Sequence, residues 1–389
     1  MSRTDPLDRL REAVPVAGTP TRMLPAEAYT SPEVLRWEMR HLFAGAWTCL
    51  GRTEELLPGA DADGPVRQRA TTVGDVTVLL VRDGGAPRMF ANTCRHRGHE
   101  LLPDGTTSGR RSILCPYHAW TYRTDGSLLA APGVRDGDNF SAAAYGLVEL
   151  PLEEWEGWLL GHAVHPLGGT EVPPLDVHLG ELPRLVAPYR PERLVVAARH
   201  TYDVDANWKV LAENYHECYH CPLIHPELCR VTPPDSGDNY DLPGAWVGGS
   251  MRLRDGMETM SLTGALAGRR LPGVDPQQVE YLHLLPNLLI SAHPDYVMTH
   301  PLQPSAPDRT RVECSWLALA DEEGRVPDLG GAVEFWDLTN RQDWTACESV
   351  QRGLANPHFQ PGPFAPNEDA VAQLVSMVST AYASGGWRG

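Results

Sequence analysis

Hydrophobic spacing divides the chain into stretches of different period. Residues 1–30 hold no sustained pattern and read as loosely structured. Ser31-Pro32-Glu33 then opens a predicted helix, with Ser31 as N-cap and Pro32 in the first turn, and Val34, Trp37, Met39, Leu42 and Phe43 supply its apolar face. From about Trp47 to Pro166 the pattern shortens to strands and turns. Residues 73–81 and 88–92 read as strands joined across Gly84-Gly85, and Asp125-Gly126 marks a hairpin turn within 122–129. Residues 167–190 are rich in Pro, Gly and Leu and read as a connection. Residues 194–204 are strand-like and run into a helix beginning near Asn207. Two segments, 232–244 and 256–276, are loop-like, either ordinary surface loops or a lid over a site. Strands are expected over 281–301 and 311–320, helices over 331–354 and 368–383. The chain holds no internal repeat and no low-complexity segment.

This pattern predicts an α+β protein in three parts: an N-terminal helical segment over 1–45 that packs on the C-terminal domain, a small all-β domain over 46–166, and a larger mixed domain over 167–389. Its length allows two cores. The net charge of −17 speaks against nucleic acid as a partner, because such a binder needs a basic face to replace counterions. The opening MSRTDPLDRLREAVPVAG lacks the apolar core of a signal peptide, and no run approaches the roughly 20 apolar residues that span a bilayer. A cytoplasmic location without membrane attachment is therefore expected. The eight cysteines are expected as metal ligands or small buried residues rather than disulfides.

Two clusters carry candidate chemistry. Cys94-Arg95-His96-Arg97-Gly98 and Cys115-Pro116-Tyr117-His118 give C-x-H, eighteen residues, then C-x-x-H. Two loops of this kind pinch together two thiolates and two imidazoles. That donor set suits a structural zinc, or a [2Fe-2S] cluster with both cysteines on one iron and both histidines on the other. His99 beside it reads as a surface or hydrogen-bonding histidine.

The second cluster is NWKVLAENYHECYHCPLIHP, residues 207–226. As E-x2-H-x4-H, Glu217, His220 and His225 supply two imidazoles for a mononuclear iron with an acid beside them. As H-E-x-x-H, His216 and His220 would bind zinc with Glu217 as the base of a hydrolase. On a regular helix Glu213, Glu217 and His220 share one stripe. Pro222 disturbs the helix before His225, which favours the iron reading, since the hydrolase needs its two histidines on an undisturbed helix. In that reading His216 is structural. Iron also needs a carboxylate. Asp343 falls with Trp336, Asn340, Cys347 and Val350 on the mostly apolar face of the 331–354 helix, where it is a metal ligand, half of a salt bridge to a core arginine, or a partner in a buried hydrogen bond.

Together CRHRG, CPYHAW, NWKVLAENYHECYHCPLIHPEL and QDWTACESVQRGL resemble the oxygenase (α) subunit of the Rieske non-haem iron oxygenases, from about Phe43 to the C-terminal helix. Ala119 departs from the glycine common there and is expected to be harmless. The resemblance implies an all-β Rieske [2Fe-2S] domain beside a catalytic domain with a curved antiparallel β-sheet flanked by helices. It implies that Cys94, His96, Cys115 and His118 hold the cluster, and that His220, His225 and Asp343 hold an Fe(II) that meets O2 and substrate. By the same resemblance the molecule is a homotrimer in which Glu217 links His220 to a neighbouring subunit's cluster. Electrons then come from NAD(P)H through a separate reductase or ferredoxin, in keeping with the lack of a glycine-rich nucleotide fingerprint. Glutamate rather than aspartate at 217 is similar to the branch of choline monooxygenase and the glycine betaine and carnitine oxygenases. That branch implies mono-oxygenation at an N-methyl group of a quaternary ammonium compound, with a cage from among Trp246, Tyr281, Trp316, Trp336 and Trp344. The alternative is mono- or dioxygenation of an aromatic or heterocyclic substrate, those residues then belonging to the core.

Overall fold

The structure, a computed structural model, describes residues 6–13, 22–59, 67–134, 140–164 and 172–387. The chain forms two compact units, one of Met39–Pro173 and one that combines Met1–Glu38 with Pro174–Gly389. The expected boundary at 166/167, with the first residues of the 167–190 connection, lies outside the described residues. The rest of that connection folds into the short helices Leu175–Leu179 and Leu182–Val186.

The 39–173 unit is built from three small antiparallel sheets. Its central pair is Arg67–Val73 and Val76–Arg82, so the stretch 73–81 is not one strand as expected. Gly74 turns the chain there at φ +61°, and a Cβ on it would lie 2.0 Å from the Met39 carbonyl oxygen, so the position needs glycine. Arg88–Ala91 pairs with Val76–Arg82 across Gly84-Gly85, and Asp125-Gly126 turns between Thr121–Tyr122 and Leu128–Ala130. Leu79, Phe90, Ile113, Trp120 and Tyr122 form a core that also takes in Cys94 and Cys115.

The other unit has a seven-stranded antiparallel sheet in the order Val195–Val204, Arg309–Ala318, Val297–Ala306, Leu288–Ala292, Gln278–Leu284, Trp246–Arg252, Asp238–Asn239. The expected strand over 281–301 is thus three strands, broken at Pro286-Asn287 and again at Pro294-Asp295. Its middle is buried residue after residue (Leu282, Leu284, Leu288, Ile290), which hides the alternation a half-exposed strand would show. Helices Trp208–Tyr215 and Gly330–Leu354 pack on each other and on this sheet, and Asp369–Ser384 packs on Trp246–Arg252. Pro6–Ala13 lies against Asp369–Ser384, with Arg11 Nε donating to the Tyr382 carbonyl at 3.2 Å, and Glu27–Thr30 is also helical, so the described part of residues 1–30 is more ordered than its sequence suggests. Ser31 caps Pro32–Glu38, its Oγ accepting from Val34 N.

The chain's single lysine, Lys209, is buried, and its Nζ is 2.6 Å from Glu38 Oε1. Glu38 also accepts from Trp208 Nε1 and Tyr382 Oη. Every lone pair of this buried carboxylate that matters is served, so the ion pair anchors the Trp208–Tyr215 helix instead of penalising it. The segment 256–276 is a loop held by a buried carboxylate. Asp295, fully buried, accepts from Thr259 Oγ1, Ala267 N (2.7 Å) and Gly268 N (2.8 Å) and pins it in place. Among the described residues no helix is long and apolar enough to cross a membrane.

Candidate metal centres and active site

The two loops of the first cluster share one geometry. In the first, Gly98 N donates to Cys94 O (2.9 Å) and Cys94 N to His99 O (2.8 Å); in the second, Ala119 N donates to Cys115 O (3.1 Å) and Cys115 N to Trp120 O (2.8 Å). Each loop has a residue at positive φ four places after its cysteine, Gly98 at +71° and Ala119 at +57°. Ala119 is therefore not harmless, because left-handed backbone costs a residue with a Cβ about 1–2 kcal/mol. The loops bring the His96 and His118 rings to 4.8 Å between centroids, and His96 stacks on Trp120. Both cysteines are buried, while His96 and His99 are exposed. His99 Nδ1 meets its neighbour's carbonyl, the bland role expected of it. Tyr122 Oη is 3.2 Å from Cys94 Sγ and also accepts from Arg95 N. Burial pushes the Cys115 thiol up, and His118 Nδ1 is buried without a partner. Two buried cysteines beside an unpaired imidazole nitrogen fit an iron–sulfur cluster.

In the second cluster the helix ends earlier than its sequence suggests. Asn207 caps it, Oδ1 accepting from Lys209 N at 3.0 Å, but regular helix stops at Tyr215. Residues 216–220 form a turn, and Cys221–Ile224 and Pro226–Val231 are separate short helices. The predicted stripe therefore does not exist. Glu213 faces Tyr29, whose Oη donates to it at 2.7 Å, whereas Glu217 folds back over the turn and accepts from His220 N (3.1 Å) and Tyr219 N. The hydrolase reading falls with the helix it requires, and His216 instead stacks on His283. Cys218 and Cys221 are joined as a disulfide, which corrects the expectation of unpaired cysteines; their Cα atoms lie 4.9 Å apart because the broken turn brings them together.

The break lets His225 swing back to His220. His225 Nε2 is 2.9 Å and His220 Nε2 3.3 Å from Asp343 Oδ1, and the two Nε2 atoms are 3.2 Å apart. The opposite ring nitrogens are also held, Nδ1 of His225 by Gln342 Oε1 at 2.7 Å and Nδ1 of His220 by Glu217 Oε1. Such outer partners fix ring orientation and leave Nε2 free to ligate. Burial lowers the affinity of His220 for a proton, yet Asp343 and Glu217 outweigh it and raise its pKa to about 9. Burial would likewise raise Asp343, but His220 and His225 hold it below the usual carboxylate range. Two imidazoles and a carboxylate that converge within 4.8 Å and attract positive charge fit a divalent metal with open positions. Val350, placed on the inward face by spacing, is 43 % exposed, because the buried stripe at that end of the helix runs through Cys347, Gln351 and Leu354. In the sequence, the only signal for Gln342 is its place next to Asp343.

A cavity of about 530 Å³ opens beside the triad. Tyr281, Trp336 and Trp344 are on its wall, whereas Trp246 and Trp316 are core residues away from it. Of the two loop-like segments, only 232–244 contributes to the wall.

Residues 46–146 match the Rieske [2Fe-2S] domain, and residues 191–384 match the ring hydroxylating alpha subunit (catalytic domain). The chain is 32 % identical over 377 residues to the glycine betaine monooxygenase oxygenase subunit of Chromohalobacter salexigens, covering 88 % of this chain and 81 % of the relative. It is 26 % identical to the chloroplastic choline monooxygenase of Spinacia oleracea (87 % and 73 % covered), and 36 % identical over 205 residues to the carnitine monooxygenase oxygenase subunit of Escherichia coli (52 % of each). The solved structure of a quaternary ammonium Rieske monooxygenase superposes with a TM-score of 0.75 at 23 % identity, covering 93 % and 95 % of the two chains. Naphthalene 1,2-dioxygenase from Rhodococcus sp. gives 0.70 at 19 %, covering 97 % of each. With both domains matched in order along the chain, it belongs to the Rieske non-haem iron oxygenases as an oxygenase subunit, carrying a [2Fe-2S] cluster and a mononuclear iron.

Proposed function

We propose that the chain hydroxylates an N-methyl group of a quaternary ammonium compound. The cavity carries this reading: Tyr281, Trp336 and Trp344 line it beside the triad, and aromatic faces attract a methylated cation. The relatives named for glycine betaine, carnitine and choline support it, since each of those molecules bears a trimethylammonium group. One atom of dioxygen enters a methyl C–H bond and the other leaves as water, with two electrons and two protons consumed. The resulting N–CH2OH cation breaks its C–N bond, loses a proton and yields a tertiary amine and formaldehyde.

In this reading Cys94 and Cys115 would hold one iron of the cluster and His96 and His118 the other, while His220, His225 and Asp343 would hold the mononuclear iron. When bound, these groups would supply single-electron storage and dioxygen activation. The protein's own groups set the geometry. Gln342 and Glu217 fix the two imidazoles, and the turn after Tyr215 carries Glu217 onto His220. Glu217 is the group we assign as the link from His220 to His118 of the partner subunit, in a cytoplasmic homotrimer fed from NAD(P)H by a separate reductase or ferredoxin. A relative's structure is described in terms of inter-subunit electron transfer, which supports that assignment.

A single turnover tests the substrate class. Reduced protein mixed with oxygen and a panel of betaines, choline, carnitine and aromatic acids is expected to give a demethylated amine with matching formaldehyde. A hydroxylated ring as the product would overturn it.

A further inference from the structure

The exposed charged side chains on the cavity wall are acidic. Asp235, Asp238 and Asp369 lie exposed at its outer part, and Glu217 and Asp343 lie at the triad. None of its lining residues is arginine or lysine. A metal held by the triad would not reverse this, because the charge of a divalent ion is matched by the two carboxylates beside it. His216 and His300, also on the wall, add no positive charge: burial lowers both, His300 to about 4, so both are neutral near pH 7. His216 is only 9 % exposed, yet its Nε2 lacks a hydrogen-bond partner within the chain. Leaving such a buried polar atom unpaired is unfavourable. A ligand hydroxyl, which both donates and accepts, can pair with a neutral imidazole without bringing charge. A ligand carboxylate would have to shed its water in a cavity that offers it no cation.

Building on the quaternary-ammonium reading, we infer that this cavity selects a quaternary ammonium ion whose far end is a neutral hydroxyl and rejects zwitterions whose far end is a carboxylate. The acidic outer wall draws in a ligand of net positive charge and gives no such pull to a zwitterion.

Calorimetric titration of the anaerobic, iron-loaded protein tests this without turnover. Three probes suffice: choline, glycine betaine, and 3,3-dimethylbutan-1-ol, the uncharged carbon analogue of choline. Choline is expected to bind at least about tenfold more tightly than glycine betaine, a gap of about 1.4 kcal/mol. Its affinity should weaken as salt rises. A smaller preference, or the reverse, overturns the selection while leaving N-methyl chemistry intact. Should the carbon analogue match choline, or neither cation bind, the quaternary-ammonium reading fails and the selection with it.

Discussion

Asp343 arrives at the triad from a helix more than a hundred residues away from His225, and it stays ionised in a buried place because two imidazoles outweigh the cost of burial. Asp343→Ala should remove the mononuclear iron alone. We expect iron to fall from about three to about two per chain with two acid-labile sulfides retained, the brown colour unchanged, and turnover lost. Full activity in this variant would rule the residue out as a ligand. Ala119 gives a prediction of opposite sign. At φ +57° it is strained where Gly98 in the matching loop is not. Ala119→Gly removes about 1–2 kcal/mol of strain but loosens the unfolded chain, for a net gain of about 0.5–1 kcal/mol, read as a raised Tm. At this scale the ligand types and spacings were legible, since chemistry limits which side chains hold iron. Gln342 was not, because a glutamine earns its role only from what its amide touches.

The Trp208–Tyr215 helix shows the same contrast for an element. Its cap at Asn207 is plain in the sequence, but its end is not, since 216–220 contains neither glycine nor proline. One local and one tertiary contact accompany its end: Glu217 turns back to its own following amides, and Tyr215 Oη donates to the Ile290 carbonyl at 2.9 Å. Glu213, inside the helix, makes a measurable prediction. Burial raises its pKa from 4.5 to about 7, despite the Tyr29 hydroxyl and Lys209, which lower it. A carboxyl that holds its proton more tightly folded than unfolded favours the folded state at low pH. Stability should therefore fall as pH rises from about 4.5 to about 7 and level off above. In Glu213→Gln this component should vanish, flattening denaturant midpoints across that range. An unchanged slope would show that Glu213 is ionised throughout.

For the whole molecule, the assignment of Glu217 as a link between subunits predicts complementation. A Cys115→Ser chain lacks a cluster ligand and an Asp343→Ala chain lacks an iron ligand, so each alone should be inactive. Refolded or co-expressed together, they should regain a measurable fraction of turnover, because an intact cluster in one copy then serves an intact iron site in the next. Two inactive chains that stay inactive when mixed, while assembling normally by sedimentation, would place the electron route within one subunit.

By itself the sequence carried the candidate donors and the plan: two cysteines and two histidines on paired loops, two histidines and a distant aspartate proposed for iron, a β unit followed by a mixed unit. These follow from donor types and local spacing, which the chain carries with it. Tertiary structure alone decided that Cys218 and Cys221 meet and that 256–276 is pinned by Asp295. It also decided which aromatic residues reach the cavity: Trp336 and Trp316 are both large, apolar and periodic, and only one of them lines it. Such outcomes depend on which groups lie opposite one another across the fold, and no local pattern in the chain encodes that.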